Sequence, residues 1–171
     1  MTRDSYSDLV NSTCRTSGAV GGMAIVPRVV PEFAEKSDKI LDFGAGKFAV
    51  QTNALQNKGY HVTAFEIGRN FNPQYHDRNA LHRKYDIVYA SNVLNVQPTR
   101  GYVDKVLNTI SGVMKKDGLF ITNYPSGPRK CKGLGVTDVK NLLEKHFTYV
   151  ERVRKTKTMP KLNVPVWVCQ K

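Results

Sequence analysis

The sequence predicts an α/β domain: a doubly wound, mainly parallel sheet that closes with a C-terminal antiparallel strand pair and in which the third-strand region is reduced. Three observations carry that expectation. Apolar, β-branched runs alternate with segments of helical periodicity. A glycine turn, GAGKFA, joins the first run to the first helix of the domain, and two strand-like runs flank Pro160 near the C-terminus.

Taken in order, residues 1–20 are polar and turn-rich and read as a mobile arm. The segment Val26 to Lys36 is helix-like, with Pro31 starting or kinking it. Residues 1–37 are thus an N-terminal arm and helix, in position to act as a flap, and residues 38–171 are the domain proper. A strand from Lys39 to Phe43 leads into the glycine turn, then a helix from about Lys47 to Lys58 that Gly59 ends. The strand Tyr60 to Ile67 is β-branched and aromatic and ends on an acid, Glu66. Between Ile67 and Asp77 the chain is polar and proline-interrupted, too short for a helix plus a strand. The run YDIVYA (Tyr85 to Ala90) is a continuous buried-type strand. Val103, Val106, Leu107, Ile110, Val113 and Met114 share one helical face, and Lys115, Lys116 and Asp117-Gly118 are expected to close that helix. A strand from Leu119 to Asn123, a basic loop (PSGPRKCKGLG), a helix from Thr137 to His146 and strands near Tyr149–Arg154 and Val164–Cys169 complete the chain.

Bulk properties narrow the class. With 171 residues, 40% hydrophobic and 23% charged, there is room for one domain with a proper core. The N-terminus lacks the apolar run of a signal peptide, and no stretch reaches the roughly 18 apolar residues of a membrane span. Cys14, Cys131 and Cys169 are odd in number and far apart, which suits a reducing cytoplasm (a host's, for a phage-encoded chain) and inert thiols. Neither they nor His61, His76, His82 and His146 have metal-ligand spacing, so no metal is expected. The net charge is +12, and residues 127–171 supply +8 of it, eleven Lys and Arg against three Asp and Glu. Two readings stay open: an anionic partner, nucleic acid before a membrane surface, or a solvated face that keeps the protein soluble.

Three ligands compete for the glycine turn. A phosphate-binding P-loop needs G-x-x-x-x-G-K-[ST]; here Leu41 stands for the first glycine and Phe48 for the hydroxyl. A dinucleotide site needs G-x-G-x-x-G/A with an acid about 20 residues on, and Gly44, Gly46, Ala49 and Glu66 match. Against it, Asp42 at the strand end would repel a pyrophosphate, and the chain has no room for a separate substrate domain. S-adenosylmethionine has no phosphate and carries a sulfonium and an ammonium. A carboxylate at the turn attracts it, glycines let backbone approach it, and an acid after the next strand can hold its ribose. Asp42, Gly44, Gly46 and Glu66 meet those needs.

The motifs ILDFGAG, VTAFE, YDIVYASNVLNV and VMKKDGLFITN, followed by a terminal antiparallel pair, resemble a small class I (Rossmann-like) S-adenosylmethionine-dependent methyltransferase over roughly residues 38–171. The wording SNVLNV is similar to a group of small phage and bacterial methyltransferase-like proteins. The resemblance implies Asp42 and Gly44-Ala45-Gly46 around the methionyl part and Glu66, with Ile67 beside it, on the ribose. It implies Asp77, with Arg78, at the adenine amine. Phe48 stands where many members have a third glycine, in position to crowd the site.

In a doubly wound sheet, ligands lie beyond the strand ends where the order reverses, here past YDIVYA at Ser91-Asn92-Val93-Leu94-Asn95. Ser91 is expected to touch cofactor. Asn92 and Asn95 either orient a substrate amine or hydroxyl through their amide oxygens or cap the following turn. SNVL is not the [DNS]-P-P-[YFW] motif of exocyclic-amine DNA methyltransferases, and no Pro-Cys nucleophile of a cytosine-C5 enzyme is present. The expected function is methyl transfer from S-adenosylmethionine to an unspecified, anionic or nucleic-acid substrate. The alternative is a catalytically weak or inactive protein of this fold that binds nucleic acid or a protein through its basic face. A nicotinamide-dependent oxidoreductase is a third reading.

Overall fold

The computed structural model describes residues 3–14, 23–125 and 130–171, and for residues 3–7 the backbone alone. The strands are β1 (Lys39–Phe43), β2 (His61–Phe65), β3 (Tyr85–Ala90), β4 (Met114–Asn123), β5 (Tyr149–Arg152) and β6 (Val166–Gln170). They form one sheet in the order β2-β1-β3-β4-β6-β5. β1 to β4 run parallel, and β6 lies antiparallel between β4 and β5. The fold class read from the sequence is the one observed.

Helices cover both faces, as the two-residue alternation of side chains in a buried strand requires. In β3, Val88 and Ala90 join the core under α4 (Arg100–Val113) and α5 (Val136–His146), with Leu107, Val139 and Trp167. Ile87 and Tyr89 point to the other core, with Val26 and Val29 of α2 (Ile25–Val29) and Leu55 of α3 (Val50–Asn57). Pro31 sits in a one-turn 3₁₀ helix that extends α2.

Three local expectations are corrected. The helix after the glycine turn starts at Val50, because Ala49 takes a left-handed conformation (φ 48°) that keeps residues 47–49 in the turn. The long helix stops at Val113, and Lys115 to Gly118 belong to β4. There the register jumps from Tyr85↔Met114 to Ile87↔Leu119, a bulge held by Lys115 Nζ on Asp86 at 2.8 Å. The N-terminal arm contains a helix, α1 (Arg3–Ser12), docked on the segment after β2. Asn11 Oδ1 accepts the Arg69 N–H at 2.9 Å, and the Arg69 guanidinium donates to the Cys14 carbonyl at 3.0 Å. The rest of that arm, residues 1–2 and 15–22, lies outside the described residues, as does Pro128-Arg129 of the basic loop.

The reduced third-strand region holds two one-turn 3₁₀ helices, Gly68–Asn70 and Ala80–His82, and no strand among the described residues. β2 is therefore an edge strand. The Asp77 N–H covers part of that edge by donating to the Ala64 carbonyl at 2.9 Å. The three cysteines are buried and unbridged.

Candidate functional site

Because β1 to β4 are parallel, the turn after β1, the segment after β2 and the loop after β3 emerge on one edge of the sheet. The order reverses between β1 and β3, and there the chain leaves a cleft of about 240 Å³. Gly44, Gly46, Glu66, Ile67, Ser91 and Asn92 line it. A second chamber of about 240 Å³ continues from it beneath α1, sharing Phe43, Ile67 and Gln97.

The glycine turn is held on all sides. The Gly44 and Ala45 N–H groups donate to the Phe65 carbonyl at 2.9 and 3.0 Å. Gly46 donates to Glu66 Oε2 at 2.8 Å, and its carbonyl accepts from His76 Nε2 at 2.7 Å. His76 Nδ1 accepts the Asn72 N–H at 3.0 Å, which leaves Nε2 as the protonated nitrogen. Gly44 and Gly46 both have φ +82°, open to glycine at no steric cost. A Cβ on Gly44 would meet Val93 Cγ2 at 2.6 Å, whereas a Cβ on Gly46 would meet nothing within 4 Å.

Glu66 is the one ionisable side chain lining the cleft among the described residues. Its other oxygen accepts the Ile67 N–H at 2.9 Å. Burial pushes its carboxyl above the usual range, against the pull of the Ile67 and Gly46 N–H groups and of His76.

Asp42 is placed differently from the expectation drawn on it. It is 2% exposed and does not line the cleft. Its Oδ2 accepts the Tyr89 hydroxyl at 2.6 Å and the Thr52 hydroxyl at 2.7 Å. Burial raises its pKa from 3.8 to about 6, the two hydroxyls opposing that rise and Glu66 adding to it. Asp42 thus ties β1 to α3 and β3 directly behind the turn.

Ala45, Asp77, Arg78 and Asn95 also lie off the cleft wall. Ala45 packs with Ala49 and Ala64. Asp77 pairs with Arg83, which with the Asn79 N–H holds its carboxyl below the usual range. Arg78 is exposed, its guanidinium 5.5 Å from the Phe71 ring centre. Asn95 is buried in the 3₁₀ turn Leu94–Val96 behind Asn92. Phe48 does not crowd the site: it is 48% exposed and packs edge-on against Tyr75.

Sequence reasoning missed His76 and Asn123. His76 sits in the segment without periodicity, where no pattern singled it out. Asn123 is a 2% exposed polar residue at the end of an apolar strand, LFITN, and that contrast is a signal. A larger hollow of about 670 Å³ lies at the opposite sheet edge, among Lys39, His61, Lys84 and Lys115. It has no glycine turn and no strand C-terminus, and the switch-point cleft is the better binding site. Among the described residues no group of three or more His, Cys, Asp or Glu could hold a metal, and no helix is long and apolar enough to cross a membrane.

Residues 22–154 match the family described as methyltransferase domain. The chain belongs to that family. S-adenosylmethionine is the cofactor of such a domain. Solved structures share the fold at low identity. A TehB-like SAM-dependent methyltransferase from Corynebacterium glutamicum is 18% identical with a TM-score of 0.62, the match covering 99% of this chain and 100% of that one. Magnesium protoporphyrin IX methyltransferase from Synechocystis PCC 6803, with bound SAM, is 14% identical with a TM-score of 0.60, covering 99% and 94%. A SAM-dependent methyltransferase from Methanosarcina mazei is 15% identical with a TM-score of 0.61, covering 84% and 96%. Among curated proteins none matches the sequence significantly.

The residues present fit the cofactor. The open side of Gly46 admits a ligand against backbone, and the cleft of this +12 chain is walled by an acid and no cation among the described residues. That lining suits a sulfonium and, among the described residues, offers a pyrophosphate no cationic side chain.

Proposed function

We propose that this methyltransferase-domain protein transfers a methyl group from S-adenosylmethionine to a nucleophile presented beside Ser91 and Asn92. The observation that carries the reading is the lining of the cleft: among the described residues one charged side chain, Glu66, set next to a glycine turn with an open backbone face.

When bound, the cofactor supplies a methyl group on a positively charged sulfur, open to in-line attack by a lone pair. The chain's part is positioning and exclusion of water. Gly44, Gly46 and Ser91 would hold the methionyl part, and Glu66 and Ile67 the ribose and the adenine side. Asp42 supports this arrangement from behind through Tyr89 and Thr52 rather than by contact. Phe43, Phe65 and Val93 make the wall apolar, which strengthens the pull of Glu66 on a cation. Helix α1, which places Thr13 at the rim, is the covering element on one side. Asn95, one 3₁₀ turn behind Asn92, shapes the loop that receives the acceptor.

Calorimetry tests the reading. S-adenosylhomocysteine is expected to bind the wild-type protein and to bind Glu66→Gln at least about tenfold more weakly, since the glutamine loses the charge and one acceptor. NADH is expected not to bind. A protein that takes NADH and ignores S-adenosylhomocysteine overturns the proposal.

A further inference from the structure

We propose, resting on the function set out above, that the chamber beneath α1 holds the methyl acceptor. The acceptor is a small molecule with an apolar body, a carboxylate at the Lys105 end and a hydroxyl at the Asn92–Gln97 end. The chamber adjoins the cleft through Phe43, Ile67 and Gln97, but the glycine turn and Glu66 line the cleft alone. The cofactor's contacts and the space beside them are therefore separate. At roughly 30 Å³ for a water-sized group, its 240 Å³ has room for about eight such groups. A substituted ring fills that space; a nucleotide with its sugar and phosphate exceeds it.

The wall is apolar beyond what residue type alone dictates. Leu9 and Val10 of α1 line it with Pro98 and Val106. Its two threonines offer no free donor, because the Thr13 hydroxyl donates to the Val10 carbonyl at 2.7 Å and the Thr109 hydroxyl to the Lys105 carbonyl at 3.0 Å. Lys105 is the one charged side chain in the lining among the described residues, and its ammonium lies 4.9 Å from the centre of the Tyr102 ring. No carboxylate among the described residues pairs with it. Asp104, next to it, is taken by Lys145 at 3.2 Å and His146 at 2.8 Å, and Asp8, next to Leu9, is exposed and lines neither space. Arg69, the other cation at this corner, donates to the Cys14 carbonyl. A single cation beside an apolar space fits a carboxylate. Glu66 and Lys105 thus give a cationic cofactor and an anionic acceptor one place each.

The end shared with the cleft selects the nucleophile. Gln97 donates to the Val93 carbonyl at 3.0 Å, which leaves its amide oxygen as an acceptor. Asn92 spends its amide oxygen on Asn123 at 2.8 Å, which leaves an N–H₂ donor. A hydroxyl satisfies both: its proton goes to Gln97, one lone pair accepts from Asn92, and the second is free to attack. An amine has a single lone pair, and Asn92 would occupy it. Transfer forms an oxygen–carbon bond, breaks the methyl–sulfur bond with its electron pair left on sulfur, and releases the hydroxyl proton to water. Lys105 stands six residues into α4, about 9 Å along the axis from the Thr99 cap. Hydroxyl and carboxylate are therefore a ring and a short arm apart.

The test is calorimetry of the full chain saturated with S-adenosylhomocysteine, with p-hydroxyphenylpropionate as the probe. Wild type is expected to bind the acid, and to bind its methyl ester at least about tenfold more weakly. Lys105→Gln should weaken the acid at least about tenfold and leave the ester unchanged, whereas Lys105→Arg should stay within about threefold of wild type. Leu9→Trp fills the chamber and should abolish binding of the acid. All three variants should bind S-adenosylhomocysteine within about threefold of wild type, with thermal melts confirming the fold. Acid and ester binding alike overturn the proposal. A loss of S-adenosylhomocysteine in Lys105→Gln does so too, since Lys105 then holds the cofactor's own carboxylate. The same loss in a folded Leu9→Trp makes the chamber part of the cofactor site and also overturns it. Should Leu9→Trp fail to fold, the two Lys105 variants decide. A wild type that binds S-adenosylhomocysteine and not the acid removes this inference alone; one that binds neither removes the proposed function with it.

Discussion

Asn92 and Asn123 hold each other across the ends of β3 and β4. The Asn92 backbone N–H donates to Asn123 Oδ1 at 2.8 Å, and Asn123 Nδ2 donates to Asn92 Oδ1 at 2.8 Å. A backbone N–H can only donate, so this one bond decides the orientation of both amides. Asn92 sits in a left-handed conformation, φ 55°, which asparagine tolerates better than most residues. Its amide oxygen is occupied by Asn123, so the group it has left for the cleft is an N–H₂ donor. The expectation that Asn92 orients a substrate through its oxygen is reversed in polarity.

Asn123→Leu should therefore lower stability by about 2 kcal/mol, because it removes two hydrogen bonds and strands a part-buried Asn92 N–H and amide oxygen. That corresponds to roughly 4–8 °C in Tm for a chain of this size. Asn92→Asp keeps the oxygen that Asn123 uses and should stay within about 2 °C of wild type. Thermal melts of the two variants check the pair; equal losses would mean that the Asn123 bond to the side chain is not what holds this corner.

The glycine turn was legible because its conformation demands a residue type: φ +82° at Gly44 and Gly46 leaves a signature in one short window. Glu66 was legible by its distance from that window. What escaped depends on side chains brought together from afar. Asn123 meets Asn92 from 31 residues away, and Asp42 finds its partners at Thr52 and Tyr89, 10 and 47 residues on. A carboxylate at a strand end looks the same in sequence whether it faces ligand or is buried behind the turn. The helix start was misplaced for a local reason, since nothing about an alanine announces the left-handed φ of Ala49. The docked α1 was unreadable because Asn11 and Cys14 matter only once Ile67–Arg69 lies beneath them.

Asp42 sets a pH dependence whose sign follows from its burial. Its pKa is about 6 in the folded chain, above the ordinary 3.8, so the folded state holds the proton more tightly than the unfolded one. The buried charge is thus a cost. It is absent below pH 3.8, grows as pH rises toward 6, and reaches about 3 kcal/mol above that. Asp42→Asn removes the charge and can still accept from Tyr89 and Thr52 through its one oxygen. It should be more stable than wild type at pH 8 by up to about 3 kcal/mol, with the gap closing toward pH 4. Urea midpoints at pH 4.5 and pH 8 measure this. A gap that does not change with pH would show that Asp42 is not the titrating group.

The two glycines of the turn should fail for different reasons when replaced. Gly44→Ala adds a left-handed backbone penalty of about 1–2 kcal/mol and drives a methyl to within 2.6 Å of Val93 Cγ2. The total should be about 3 kcal/mol or more. Because the clash is with one side chain, Val93→Ala in the Gly44→Ala background should recover at least about 1 kcal/mol relative to additive losses. Gly46→Ala has the same φ but open space at its Cβ, so it should cost only about 1–2 kcal/mol. Its methyl would project from a residue that lines the cleft, and S-adenosylhomocysteine should bind at least about tenfold more weakly. Denaturation of wild type, Gly44→Ala, Val93→Ala, their double variant and Gly46→Ala, with calorimetry on Gly46→Ala, separates the two roles. If Gly46→Ala loses stability yet binds the ligand as wild type does, Gly46 serves the turn's backbone and not the close approach of a cofactor.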